Sequence, residues 1–324
     1  MSDSTRQWLR KTSLFLVKTK DDGAYEALDL SEMHFRFNTQ QQDQESPNNA
    51  SIRVFNLSDE TMKTIRGEYS YVVLQAGYEG DNYGLIFDGT VKQYRIGKEP
   101  DGVSTYLDIL AADGDVAYNY AVVNASLAAG ASWQDNLNTV MKAMAQHGVT
   151  LGHVDDPPSG GVLPRGKVLF GMARSQLRGL SRNDTASWSI QNGKVNITRL
   201  TGYLPGEAVV LNAETGLLGR AEQTEEGIKV RCLLNARISC GNLVKIDNKS
   251  INQTVGSFAN FGPGQQAYNR YGGVQLFATV AADGLYRVYV CEHTGDTRGV
   301  EYYSDLICLS VNVDTNLVET RNGA

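Results

Sequence analysis

The chain has 324 residues, 41% hydrophobic and 20% charged, with a net charge of -6 and a pI near 5.3. That length suits two or three compact units, and the composition is that of a globular protein rather than a disordered or fibrous one. Affinity for phosphates comes largely from clustered Lys and Arg, so an acidic chain without a basic run excludes a nucleic-acid reader.

Residues 1–115 predict a small antiparallel β unit with one helix. The apolar run Leu14–Val17 is too short for a signal-peptide core or a membrane span. "SLFLVKTK" and "MHFRFNT" carry apolar residues at alternate positions, Met33, Phe35 and Phe37 in the second, which is the mark of half-buried strands. The polar run from Asn38 to Asn49 predicts a long exposed loop. "NLSDETMKTIRG" reads as a short helix with Ser58 as N-cap, Leu57 and Met62 as a hydrophobic staple, and Gly67 just past its end. "YVVLQAGY", "GLIFDGTVKQYRI" and "GVSTYLDILAA" follow as strands.

Residues 116–205 predict a small α/β unit of two helices and a hairpin. The first helix follows Ser132, with Asp135 three residues on, an apolar stripe of Leu137, Val140, Met141 and Met144, and Gly148 at its exit. The second lies near "GMARSQLRGL". Asn192-Gly193 between two alternating runs is a strong hairpin signal.

Residues 206–324 return to strands: "GIKVRCLLN", "GNLVKID", "GVQLFATVA", "GLYRVYVCEH" and "VEYYSDLICLSVNV". A Gly-, Asn- and Tyr-rich insertion at 250–273 interrupts them. The four cysteines, Cys232, Cys240, Cys291 and Cys308, show no metal-ligand spacing, so reduced, buried thiols are expected in a cytoplasm-like compartment.

Regions one and three share a plan. "GVSTYLDI" (Gly102–Ile109) lines up with "GVEYYSDL" (Gly299–Leu306), pairing Tyr106 with Tyr303, each after a comparable strand and turn; "YVVLQ" and "NLVKI" sit in similar places further upstream. In this alignment Tyr94 takes the place of His293. That bears on "VCEHTGDTRGVEYYSDLICL" (Val290–Leu309), where Glu292, His293, Asp296, Arg298 and Asp305 supply the raw material of a metal or hydrolytic site. Because the first copy has Tyr94 in place of the histidine and no second acid nearby, Glu292, His293, Asp296 and Arg298 read as a strand end and polar turn.

Other chemistry is thinner. "GVLPRGKV" (Gly161–Val168) nearly spells a phosphate-cradling loop, but Val168 replaces the magnesium-binding hydroxyl and "DDPPSG" before it cannot be a buried strand. His147, His153, Asp155 and Asp156 lie within ten residues of one another, yet the two histidines do not share a helix face. No catalytic, cofactor or metal residue is assigned.

"FRFNTQQQDQESPNNASIRVFNLSDETMKTI", "GLLGRAEQTEEGIKVRCLLNARISCGNLVKIDNKSINQ" and "YRVYVCEHTGDTRGVEYYSDL" resemble, in that order, blocks of the baseplate hub proteins of contractile-tailed bacteriophages. The resemblance implies a mainly β chain with two tail-tube-like antiparallel β-barrels flanking a small α/β domain. It further implies a non-enzymatic homotrimer without cofactor that joins a sixfold tail tube to a trimeric spike and lets DNA pass, in the virion after assembly in the host cytoplasm. The insertion at 250–273 departs from the pattern. A hub of a related contractile injection system is a variant of this reading. Two rivals remain: an enzyme using His293, Asp296 and Asp305, and a carbohydrate-binding module using Tyr268, Tyr271, Tyr302 and Tyr303.

Overall fold

Apolar residues at alternate positions, broken by Gly- and Asx-containing turns, put most of the chain in strands. A computed structural model describes residues 8–19, 24–79, 82–100, 102–155, 161–183, 186–199, 202–224, 227–247, 251–252, 281 and 284–311. The insertion at 250–273, the expected strand at 273–281 and the residues Tyr268 and Tyr271 lie outside the described residues, except for Ile251, Asn252 and Ala281.

The first part comprises β1 (Trp8–Thr19), β2 (Tyr25–Asp29), β3 (Phe35–Gln42), β4 (Asn49–Phe55), α1 (Asp59–Glu68), β5 (Tyr71–Glu79), β6 (Gly84–Lys98) and β7 (Thr105–Ala112). Ser58 accepts the Thr61 amide at the start of α1, and Leu57 and Met62 are both buried, as the staple requires. Gly67 does not follow the helix. It lies in the last turn, which ends at Tyr69, whose extended backbone still donates to Ile65.

The middle part comprises α2 (Asp115–Tyr120), β8 (Val122–Leu127), α3 (Trp133–Ala145), β9 (Thr150–Val154), β10 (Lys167–Met172), α4 (Ala173–Asn183), β11 (Ala186–Gln191) and β12 (Lys194–Arg199). Ser132 and Asp135 form a reciprocal capping box on α3, and the predicted stripe is buried. Asn192 and Gly193, at φ 51° and 70°, turn the chain between β11 and β12, the left-handed pair that a two-residue hairpin loop needs. Beyond the two helices and hairpin, α2, the β8–β10 ladder and β9, which pairs parallel with β12, complete this part around buried Trp188.

The last part comprises β13 (Val209–Leu211), β14 (Leu217–Gln223), β15 (Ile228–Leu233), β16 (Leu243–Ile246), β17 (Ile251–Asn252), β18 (Leu285–Asp296) and β19 (Tyr302–Ser310). Its strand order repeats that of the first part. The path β3-β4-β7-β6-β5-β1 corresponds to β14-β15-β19-β18-β16-β13, with the same chain order in both. All pairings along the two paths are antiparallel except β13 with β16, which is parallel where β1 with β5 is antiparallel.

The likeness extends to single residues. One extra residue bulges from β6 at Lys92, between the pairs Val91↔Ala111 and Gln93↔Leu110; another bulges from β18 at Tyr289, between Val288↔Cys308 and Val290↔Ile307. Arg53 on β4 grips Asp108 on β7 through two bonds of 2.6 and 2.9 Å and stacks over Tyr106; Arg231 on β15 grips Asp305 on β19 at 2.7 and 2.9 Å and stacks over Tyr303. This register sets Ile96, opposite Leu107, against His293, opposite Ser304. Tyr94 corresponds instead to Cys291, one same-face step away.

The strands do not form two separately closed rings among the described residues. β18 pairs with β3 through seven residues, Arg36↔Asp296 to Gln42↔Val290, so both parts belong to one continuous 14-stranded sheet. Tyr302 crosses from the last part into the first core, its hydroxyl 2.9 Å from the Gly77 carbonyl and 3.0 Å from that of Lys11, and accepting the Gly77 amide. At the crossing Gly295 faces Phe37, where a Cβ would stand 2.3 Å from the ring.

The polar run 38–49 is not the exposed loop its composition suggests. Residues to Gln42 continue β3, and Gln41, Asp43 and Asn48 are buried at the meeting point of all three parts. The Asp43 carboxylate pairs with buried Arg287 of β18 and accepts from Ser189 and Ser187 of β11 at 3.1 and 3.3 Å. Arg287 also donates to the carbonyls of Arg199 and Gly202 at 3.0 and 2.9 Å. Asn48 donates to the Ile190 carbonyl and the Gln191 side chain, and Gln191 donates back to the Gln42 carbonyl. The side chains of Asp43 and Asn48 can be buried here because each finds partners.

Two variants test these joints. Asp43→Ala strands the Arg287 charge in the interior and should cost about 3–5 kcal/mol, read as a lowered denaturation midpoint, whereas Asp43→Leu with Arg287→Met should recover most of it. Gly295→Ala should lower stability by about 1–3 kcal/mol through its clash with Phe37, and Phe37→Leu in the same chain should relieve part of that loss.

Candidate functional site

Sequence spacing gathers His293, Asp296 and Asp305, and the fold separates them. Neighbouring strand residues face opposite sides of a sheet. His293 pairs across the ladder with Ser304 and points inward, 1% exposed, whereas the next pair, Glu292 with Asp305, faces the other way. Asp305 is held by Arg231. Asp296 closes the end of β18 and belongs to a different contact set.

His293 is sealed. One ring nitrogen, Nδ1, lies 2.7 Å from the Ser304 hydroxyl, and Nε2 lies 3.3 Å from the Cys291 thiol. Burial disfavours the imidazolium and brings the pKa down to about 4. The four cysteines are free and buried, as expected, and burial pushes the thiols of Cys232, Cys240, Cys291 and Cys308 upward, away from the reactive thiolate. Among the described residues, no group of three or more His, Cys, Asp or Glu side chains is disposed to hold a metal ion.

Asp296 is a structural clasp. Burial alone would raise its pKa, but the amide of Arg298, the Arg36 guanidinium and the His34 ring outweigh that and hold it at about 2. Both side-chain contacts measure 2.8 Å, and the Gly299 amide adds another bond at 2.8 Å. The carboxylate thus fastens the β18–β19 turn to the β3 segment of the first part. Glu292 accepts from Asn38 across the same seam. Glu292 and Asp296 are thereby tied into the sheet, while Arg298 in the turn itself is exposed.

Other proposed groups are also dispersed. His153 pairs with Asp155 at 2.8 Å, while His147 follows α3 and Asp156 lies outside the described residues. Lys167 and Val168, the end of the phosphate-loop look-alike, open strand β10 rather than a helix. Tyr302 is buried, and the Arg231 guanidinium lies over one face of the half-buried Tyr303 ring.

The described surface also carries exposed apolar side chains and strand edges. The outer face of the β8–β10 ladder carries Val168 and Phe170, each 73% exposed, beside Val122 at 54%. The outer edge of β6 beyond Thr90 has no strand partner among the described residues. Among the described residues, β17 alone pairs with the outer edge of β14, over Ala221 and Glu222. Arg53 and Arg231 escaped the sequence reading, although each stands second in a matching alternating run, "IRVF" and "VRCL".

Acid should loosen the seam in two stages. His293 contributes stability that is complete above its unfolded pKa of about 6.5 and is lost as pH falls toward 4, on the order of 3 kcal/mol. Asp296 contributes stability present above about 4, its unfolded value, and lost as pH falls through 2. In acid titrations of stability, His293→Gln should flatten the upper stage and Asp296→Asn the lower.

No family model and no curated protein matches the sequence. Among solved structures, the chain is similar to a tail protein from Neisseria meningitidis MC58, with a TM-score of 0.53 at 8% identity over 94% of this chain and 97% of that one. It is also similar to the 43 kDa tail protein of prophage MuSo2 from Shewanella oneidensis (TM-score 0.48, 9% identity, 92% and 98% covered). A component of the type VI secretion system of E. coli follows (TM-score 0.48, 9% identity, 86% and 73% covered). Only the first likeness is close enough to argue from, and at such identity it speaks to fold alone. The chain shares its overall fold with the Neisseria meningitidis tail protein.

Proposed function

We propose that this protein is a structural hub of a phage-tail baseplate. In this reading, residues 1–115 and 206–324 are the two tube-like β domains, with 116–205 as the α/β unit between them. Three chains form a ring of pseudo-sixfold symmetry, joining a sixfold tail tube on one side to a trimeric spike on the other, with DNA passing through the lumen. Its place is the virion tail after assembly in the host cytoplasm.

The observation that carries the proposal is the repeated strand order, with its shared bulge and its two Arg–Asp–Tyr clamps. A chain that presents one β architecture twice can match a sixfold neighbour with three copies and a threefold neighbour with the same three. The shared fold with a tail protein is consistent with it. A non-enzymatic role is proposed with it; the separation of His293, Asp296 and Asp305 offers the enzymatic rival no assembled site.

Light scattering on the purified full chain, with negative-stain images of the same sample, tests the proposal. Annular trimers are expected. A compact monomer at every concentration tried would overturn the ring.

A further inference from the structure

We infer that the outer edge of β6, from Ile96 to Lys98, receives β14 of a second copy of this chain. The contact repeats between chains the β3–β18 junction that joins the two halves within one chain. This rests on the ring reading above and deepens it by naming the edges and register.

The argument is one of equivalence. By the shared bulge and clamps, β18 corresponds to β6 and β3 to β14. Both strands are long, and in each the first partner on the outer edge stops partway along. β18 pairs with β16 through Leu285–Arg287 and then with β3 through Val290–Asp296. β6 pairs with β5 through Gly84–Thr90, and the stretch equivalent to the β3-binding half has no strand partner among the described residues. An unpaired row of backbone donors and acceptors is a template for another strand. Six strands stand between β14 and β6 within one chain, so the partner is another copy.

The register transfers by the same equivalence. Asn38↔Thr294 becomes Glu222↔Gly97, and Thr39↔His293 becomes Gln223↔Ile96. In the junction within the chain, Asn38 donates across the diagonal to Glu292. Glu222 and Arg95 occupy those two positions, so the bond is replaced by a pair of opposite charges. Ile96, 46% exposed, takes the place of buried His293 and would be covered. In the single chain β17 holds the β14 edge through two residue pairs, and the incoming β6 displaces it.

The full chain carrying Ile96→Cys and Gln223→Cys tests the register under mild oxidation, because directly opposed strand residues meet disulfide geometry. The four native cysteines are buried and do not compete. Disulfide-closed trimers are expected, with roughly tenfold less linkage for Lys98→Cys with Gln223→Cys, whose positions are offset. Arg95→Glu or Glu222→Arg alone should weaken association, and the two together should restore it. Trimers by mass that give neither linkage nor charge-swap rescue would overturn this edge assignment and leave the ring standing. Linked open ladders without rings would support the pairing and overturn the ring, whereas unlinked monomers would overturn both.

Discussion

A buried ion pair at the meeting point of three parts constrains the rest of the molecule. Asp43, just beyond β3, and Arg287, near the start of β18, are both nearly inaccessible, and the serines of β11 share the same carboxylate. Two charges leave water only where attraction and hydrogen bonds together offset the desolvation, so the site accepts one arrangement of its neighbours. Desolvation lowers the Arg287 pKa below the usual guanidinium range. The middle part is thereby fixed against the ladder that unites the two β parts, and neither half can reorient without breaking the pair.

The two β parts keep the features that set sheet geometry and vary in those that fill it. Arg53 and Arg231 hold equivalent positions, as do Asp108 and Asp305, because a bidentate clamp between adjacent strands pins register. The bulges at Lys92 and Tyr289 are retained because an extra residue fixes local twist. His293 against Ile96 shows the freedom left at one position, buried in the last part and 46% exposed in the first. The imidazole there stays neutral and bonded to Ser304, so it serves as packing with a polar tip.

Much of this was legible in local sequence. The Ser132–Asp135 box, the Asn192-Gly193 turn and the alternation of Leu14 and Leu16 each depend on neighbours a few residues away. The "GVSTYLDI" and "GVEYYSDL" blocks gave the repeat, although letters alone misplaced Tyr94 against His293 by one same-face step. The run from Asn38 to Asn49 misled because composition reports polarity and not burial. Its partners, Ser189, Gln191 and Arg287, lie more than a hundred residues away in sequence. The β3–β18 pairing is hidden for the same reason, and the short strand β10 was obscured by its likeness to a phosphate loop.

The seven-residue ladder between β3 and β18 also decides how the molecule bears load. A pull that slides the halves along their strands stretches all of its rungs together, while a pull across them parts one rung at a time. Tyr302, reaching over from β19 to the backbone of β1 and β5, acts as a cross-tie near one end of that ladder, opposing peeling where it would begin. The protein is accordingly stiff in shear along β3 and yields more readily to forces that unzip.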